Sequence, residues 1–98
     1  MRHFLAILED AGPNHAVGVW FPDVPGCFSA GDTFDEALVN AREALASHLA
    51  LLRSEGAALP SPRTIEELKR DSEVAGELKD YIVAAVDYDE AAISEAAE

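Results

Sequence analysis

Hydrophobic runs of strand length lie near both ends of the chain. Residues 3–8 (HFLAIL) and 81–86 (YIVAAV) are nearly continuous in apolar side chains, which is typical of strands inside a sheet. Residues 16–21 (AVGVWF) predict a second strand, joined to the first by a hairpin turn over 9–14. A short third strand is expected at 27–30. Because both terminal runs are apolar, we expect the first and last strands to be neighbours near the centre of the sheet.

A longer stretch, residues 34–54, has the spacing of an amphipathic helix, with apolar positions every three or four residues on one face. These positions are Phe34, Leu38, Ala41, Leu45, Leu49 and Leu52. Such a helix spans roughly 31 Å, whereas a strand of five or six residues spans about 17–20 Å. The last turns should therefore extend beyond the sheet. We predict that Leu49, Leu51 and Leu52 form an interface for self-association into a homodimer or higher oligomer.

Glycine, proline and capping residues mark the ends of these elements. Pro25 and Gly26 predict the centre of a type II turn, because proline presets the first φ angle and glycine accepts the positive φ at the second. Gly31 predicts a second bend. Thr33 and Glu36 have the spacing of a capping box, which satisfies two amide donors at a helix start.

The second half of the chain carries weaker signals. Gly56 suits the position just beyond the long helix, and Thr64 with Glu67 predicts a capped short helix. Residues 72–79 fit either a helical turn or a loop. In the second strand, Gly18 predicts a bulge or a close backbone approach.

The predicted order of elements is β-β-β-α-(α)-β, which is an α+β fold. We expect a two-layer sandwich in which a three-stranded meander buries one face under the long helix. The last strand should return by a right-handed crossover. We predict one domain over residues 1–88 and an acidic C-terminal tail over 89–98.

Charge adds an expectation about partners. The 98 residues include 7 Lys and Arg against 19 Asp and Glu, which gives a formal net charge of −12. An acidic surface repels phosphate and favours basic partners, although it also serves solubility alone. Cys27 is the one cysteine, so we expect a small buried side chain and a reducing compartment. No segment predicts an export signal or a membrane span, and we predict a cytoplasmic protein.

One combination of motifs is more specific. A strand ending FPDVPGC is followed by GDTFDEAL at the start of a helix that continues NAREAL, and LPSP follows the helix. This order resembles the HicB-like antitoxin family over about residues 3–88. The resemblance implies a partial ribonuclease-H-like fold. It also implies a non-enzymatic protein without cofactor or metal, which binds and neutralises a small basic HicA-type toxin, itself an mRNA-cleaving ribonuclease.

The residues that carry the resemblance also have structural explanations, and we expect them to build the fold before they contact a partner. Asp23 or Asp32 is expected to accept hydrogen bonds from loop amides. The full set is Phe21, Pro22, Asp23, Pro25, Gly26, Gly31, Asp32 and Glu36.

Many members of that family carry a C-terminal DNA-binding module. Here eleven residues follow Asp87, none of them Lys or Arg. Without cations to displace counterions, binding to DNA phosphates has no driving force. We therefore expect no direct nucleic-acid binding by this chain.

Candidate contacts to a toxin combine aromatic anchors with carboxylates. Trp20 and Phe21 are candidate anchors beside Asp23, although we expect at least one of the two rings in the core. Val39 and Glu43 lie on a small stripe of the long helix with Ala46 and Ala50, where alanine also serves helix propensity alone.

Two alternatives remain open. Ribonuclease H chemistry needs several carboxylates around divalent metal, and parallel first and last strands would bring together Glu9, Asp10, Asp87 and Asp89. Such strand-end carboxylates are usually only solvated. The other alternative is a stand-alone module of the same fold that binds a different protein.

Overall fold

The structure is a computed structural model that describes residues 2–89. Seven elements follow one another, and together they confirm the α+β class. They are β1 (Arg2–Asp10), β2 (Val17–Trp20), β3 (Phe28–Gly31), α1 (Phe34–Ser54), α2 (Ile65–Lys69), α3 (Ser72–Asp80) and β4 (Ile82–Tyr88). The predicted long helix has the observed bounds, and the ambiguous 72–79 segment is α3. The predicted tail lies outside the described residues except for Asp89.

The four strands form one antiparallel sheet in the order β3-β2-β1-β4. The terminal strands are neighbours, as predicted, but β4 lies at an edge rather than near the centre. It also runs antiparallel to β1, with Arg2 opposite Tyr88 and Leu8 opposite Ile82. The connection from β3 to β4 crosses the sheet, as predicted, but the right-handed rule applies to parallel strands and therefore not to this pair. The helices after α1 carry the chain back along the sheet, so that β4 begins beside the end of β1.

The main core lies between α1 and the inner face of the sheet. Alternate residues of each strand point to this face, because successive side chains of a strand project to opposite sides. The rings of Phe4 and Tyr88 stack there at 5.2 Å between centroids. The buried residues of this core include Phe4, Ala6, Leu8, Val17, Val19, Ala37, Ala41, Leu45, Leu49 and Val86.

A smaller cluster lies on the outer face of the sheet, under α2 and α3. Ile7 of β1 packs there with Leu68 and Val74. Because β1 is covered on both faces, its sequence is apolar at consecutive positions. The predicted sandwich of sheet and long helix is present, and α2 and α3 add this second contact.

The loop between β2 and β3 consists of two consecutive turns. The Val24 amide donates to the Phe21 carbonyl at 3.2 Å, and the Cys27 amide donates to the Val24 carbonyl at 3.1 Å. Gly26 has a φ of 86°, as the predicted type II turn requires. The two turns bury Phe21, Val24 and Cys27, which are 3%, 1% and 3% exposed.

Two predictions about local structure, at Gly18 and Glu36, were wrong. Gly18 pairs in regular register with both neighbouring strands, so it marks no bulge, and an added Cβ would meet nothing within 4 Å. The predicted bend follows Gly31 at residues 32–33, and a Cβ on Gly31 would lie 2.4 Å from the backbone nitrogen of Ala37. Within the described residues, the Glu36 carboxylate does not complete the first capping box, although the Thr33 hydroxyl accepts from the Glu36 amide at 3.1 Å.

The end of α1 also differs from expectation. Leu49 is 1% exposed, and Leu52 and Leu59 pack against the main core. The segment after α1 folds back and covers the helix end, so Leu49 does not belong to a surface. Of the three residues predicted for an oligomer interface, Leu51 is well exposed, at 57%.

Candidate protein-binding surfaces

An apolar patch lies on the outer face of β2 and β3. Phe28 is 70% exposed, the most among the large apolar side chains of residues 2–89. Ala30 lies on the same face and is also exposed. The ladder places Phe28 opposite Trp20, and Ala30 opposite Gly18. We call Phe28, Ala30, Gly18 and Trp20 the outer-face patch. It exists because α2 and α3 cover the sheet around Ile7 and leave β3 uncovered.

Trp20 forms the inner border of this patch. Its indole Nε1 donates a 3.0 Å hydrogen bond to Oε2 of Glu77 on α3, and its ring meets Tyr81 edge-on at 5.3 Å. The predicted anchor is thus half-buried and fixed in orientation. A ring held in this way loses little conformational entropy when a partner covers it.

Carboxylates border the outer-face patch. Glu9 lies opposite Gly18 on β1, on the same face, and is exposed. Glu77 lies at the Trp20 border through the indole hydrogen bond. Gly18 pairs with Glu9 on one side and with Ala30 on the other, and the space beside its Cα is open. An aromatic side chain beside carboxylates suits a partner that is basic and partly apolar.

Phe21 and Asp23, predicted as contacts, are structural. Phe21 is buried in the core. The Asp23 carboxylate is 8% exposed and accepts from both the backbone N and Nε of Arg63, each at 2.7 Å. These two residues therefore do not present a surface to a partner, because the chain itself fills their contacts.

Arg63 joins three parts of the chain. Besides its bonds to Asp23, its Nη1 donates to Oδ2 of Asp71 at 3.0 Å, and Asp71 caps the start of α3 by accepting from the Glu73 amide. The hydrogen bonds to Asp23 and Asp71 raise the pKa of Arg63. The same arginine, followed by the Glu73 amide, lowers the pKa of Asp71. The expectation that Asp23 accepts from a loop amide is confirmed by the Arg63 amide, but the identity of this partner could not be predicted, because Asp23 and Arg63 are 40 residues apart along the chain.

A second exposed surface is the solvent side of α1. Val39 is 59% exposed, and Glu43 is exposed one turn later. Since α1 covers the inner face of the sheet, this side points away from the outer-face patch. The predicted contacts Trp20 and Glu43 therefore belong to separate surfaces. Phe28 was missed, although its position directly after the buried Cys27 could have indicated an outward side chain.

The carboxylates considered for catalysis are not brought together. Because β4 runs antiparallel to β1, Asp87 lies opposite His3, near the start of β1. Glu9 and Asp10 lie at the other end of β1. His3 and Glu9 are six positions apart along the strand, about 20 Å. Across residues 2–89 no group of three His, Cys, Asp or Glu side chains is placed to hold a metal ion. The Cys27 thiol is buried, which raises its pKa.

Comparison with known proteins agrees with this architecture. The chain is 42% identical over 82 residues to an uncharacterized 14.9 kDa protein of Haemophilus phage HP1, covering 84% of this chain and 57% of that protein. It superposes on the crystal structure of the antitoxin HicB of Burkholderia pseudomallei with a TM-score of 0.74 and 33% identity, covering 93% of this chain and 66% of that one. It thus spans less than two thirds of these relatives.

A third match covers its counterpart almost fully. A chain of the HicA3 and HicB3 toxin–antitoxin complex is 32% identical with a TM-score of 0.69, and the match covers 89% of this chain and 98% of that one. In the part of the chain that the structure describes, no helix is long and apolar enough to cross a membrane. The model of the HicB-like antitoxin of bacterial toxin–antitoxin systems matches residues 4–98, and the chain therefore belongs to the HicB-like antitoxin family.

Proposed function

We propose that this protein binds and neutralises a small basic toxin of the HicA type, as the antitoxin of a type II toxin–antitoxin system. The observation that carries the proposal is the match to nearly the whole of one chain from a HicA3 and HicB3 toxin–antitoxin complex. The toxin would cleave mRNA, and the antitoxin would act in the cytoplasm by covering it. The antitoxin itself supplies no catalytic group, cofactor or metal.

Charge supports this choice of partner. The net charge of −12 attracts a basic protein and speeds the encounter, while it repels RNA and DNA. Direct binding of nucleic acid by this chain is therefore not part of the proposal. A toxin surface that is basic because it holds RNA would be complementary in charge to the acidic surface of this chain.

The outer-face patch is the proposed anchor for the toxin. Binding energy concentrates in a few aromatic side chains that become fully desolvated, while the polar rim contributes less. Phe28 has a large exposed area that a partner would bury. Glu9 and Glu77 lie where a polar rim would form. Val39 and Glu43 on α1 are the alternative contact surface.

The direct test is binding and inhibition with a purified HicA-type toxin encoded beside this chain. We expect the wild-type protein to form a stable complex and to stop cleavage of a reporter mRNA. Phe28→Ala is expected to weaken the complex by about 30-fold, the effect of losing an interface hot spot of about 2 kcal/mol. Affinity is measured by titration calorimetry.

Matched controls separate the surfaces. Leu51→Ala removes a similarly exposed apolar side chain at the end of α1 and should leave affinity unchanged. Val39→Ala tests the solvent side of α1. If Val39→Ala weakens binding and Phe28→Ala does not, the anchor lies on α1. If the neighbouring toxin is not bound at all, the chain is a HicB-like module for another protein.

A further inference from the structure

A row of three residues crosses the outer face of the sheet at right angles to the strands. Ala30 on β3 lies opposite Gly18 on β2, and Gly18 lies opposite Glu9 on β1. We call these three residues the Gly18 row. Ala30 and Glu9 are exposed, and a Cβ on Gly18 would meet nothing within 4 Å. The β2 position of this row therefore supplies no side chain between Ala30 and Glu9.

Glu9 differs from the neighbouring carboxylates in that the fold does not use it. In the described part of the chain, its side chain forms no hydrogen bond or ion pair. By contrast, Asp10 accepts from the Gly12 amide at 3.1 Å, and Glu77 accepts from the Trp20 indole at 3.0 Å. Glu9 can therefore accept hydrogen bonds from a partner without breaking any that the fold needs.

Two aromatic side chains lie beside the Gly18 row. Phe28 and Trp20 are two residues from Ala30 and Gly18 along their strands, so they project from the same face at a distance of roughly 7 Å along the strand. Phe28 is 70% exposed, and the hydrogen bond to Glu77 fixes the Trp20 ring. Aromatic rings attract a planar guanidinium, which also bonds a carboxylate through two donors, whereas an ammonium is a point charge without this fork.

The row, the rings and the carboxylate suit one kind of side chain. From β3 to β1 there are two interstrand spacings, roughly 9–10 Å, which an extended arginine and the Glu9 side chain can bridge from opposite ends. We propose, on the basis of the toxin binding proposed above, that one arginine of the toxin lies along the Gly18 row. Its apolar stem covers Ala30 and Gly18, and its guanidinium pairs with Glu9.

This contact also gives Glu9 a part in neutralisation. An arginine on a surface that holds RNA pairs with phosphate through the same two donors that bond a carboxylate. Glu9 then competes with RNA for this arginine, and it selects arginine over lysine because the ammonium lacks the second donor of the fork.

The first test is calorimetric titration with the HicA-type toxin encoded beside this chain. Glu9→Gln should weaken the complex by about 10- to 100-fold, the effect of losing a hydrogen bond to a charged group. Gly18→Val places a branched side chain in the row and should weaken the complex by a similar factor. Glu55→Gln removes an exposed carboxylate at the end of α1 and should leave the affinity unchanged. Circular dichroism melts establish that each variant is folded.

The second test identifies the occupant from the side of the toxin. Each arginine of the toxin is replaced by lysine in turn and titrated against the wild-type chain and Glu9→Gln. One replacement should weaken binding to the wild-type chain but have little further effect on Glu9→Gln, because substitutions of residues in contact are not additive. Additive effects for every arginine would overturn the proposal, even if Gly18→Val weakens the complex, because a side chain of another kind would then occupy the row.

The outcomes separate this inference from the proposed function. If the wild-type chain binds and inhibits the toxin, and Glu9→Gln binds it equally well, the antitoxin function stands and the arginine site is overturned. If the wild-type chain does not bind the toxin, the proposed function fails first, and the arginine site fails with it.

Discussion

Two glycines of the sheet differ in the space beside their Cα atoms. A Cβ on Gly31 would lie 2.4 Å from the Ala37 nitrogen and 2.8 Å from the Ala37 Cα, whereas a Cβ on Gly18 would meet nothing within 4 Å. The first contact is with the backbone of α1, which cannot rotate away. Gly31 therefore sets how closely the helix start approaches the end of β3.

The corresponding prediction concerns stability. Gly31→Ala should lower the free energy of unfolding by about 1–3 kcal/mol or more, because the helix must move away from the strand. Gly18→Ala is the matched control, and it should raise the free energy of unfolding by up to about 1 kcal/mol, since alanine is better than glycine in a strand interior. Urea denaturation followed by Trp20 fluorescence measures both. Equal losses in the two variants would contradict this role for Gly31.

The structural role of a residue could be predicted where the signal was local in the sequence. The turn at Pro25 and Gly26 is present as expected, because its signal lies within two adjacent residues. The close approach of Gly31 to the backbone of α1 could not be predicted, because the atoms that it approaches belong to another element. Leu49 was placed on a surface because the cover over the end of α1 comes from a segment without a pattern of its own.

At the scale of elements, Arg63 holds α3 and the turns after β2 together. Arg63→Ala should lower the free energy of unfolding by about 1.5–3 kcal/mol, the usual contribution of a hydrogen bond to a charged group. The Asp23 carboxylate, 8% exposed, would lose its side-chain partner. Arg63→Lys should recover part of this, because an ammonium cannot reproduce the guanidinium fork across two carboxylates. Denaturation curves test the order wild type, lysine, alanine; equal stability of the lysine and alanine variants would contradict the fork.

The same network predicts a pH dependence. The pKa of Asp71 is lowered by Arg63, so the folded state binds a proton there less readily than the unfolded chain. The stabilisation is present above the unfolded pKa of about 3.9 and is lost as pH falls through the lower folded pKa. Asp71→Asn should therefore be less stable than wild type at pH 7, and the difference should shrink below about pH 4.

Asparagine retains the capping function at the start of α3, so this substitution isolates the charge. Asp80→Asn is the control, because the Asp80 side chain is exposed and forms no hydrogen bond or ion pair in the described part of the chain. Thermal melts between pH 2.5 and 7 measure both variants. A constant difference between Asp71→Asn and wild type over this range would contradict the linkage.

Element types could be predicted from the sequence better than their directions. α1 follows from its periodicity and caps, and β1 from its apolar run. The direction of β4 depends on how many helical segments cross the sheet before it, and residues 72–79 had no decisive pattern. Because that segment is a helix returning across the outer face, β4 is antiparallel to β1 and the carboxylates of the two strand ends are separated.

At the scale of the whole molecule, the net charge and the outer-face patch should govern different steps of toxin binding. Charges at long range act on the rate of encounter, whereas a desolvated anchor acts on the rate of dissociation.

Raising NaCl from 0.05 to 0.5 M shortens the Debye length from above 10 Å to below 5 Å, roughly. The association rate with a HicA-type toxin should fall over this range, with little change in the dissociation rate. Phe28→Ala should do the reverse, and stopped-flow fluorescence of Trp20 measures both rates. An association rate that does not change with salt would contradict an electrostatic role for the acidic surface, even if Phe28→Ala still shortened the lifetime of the complex.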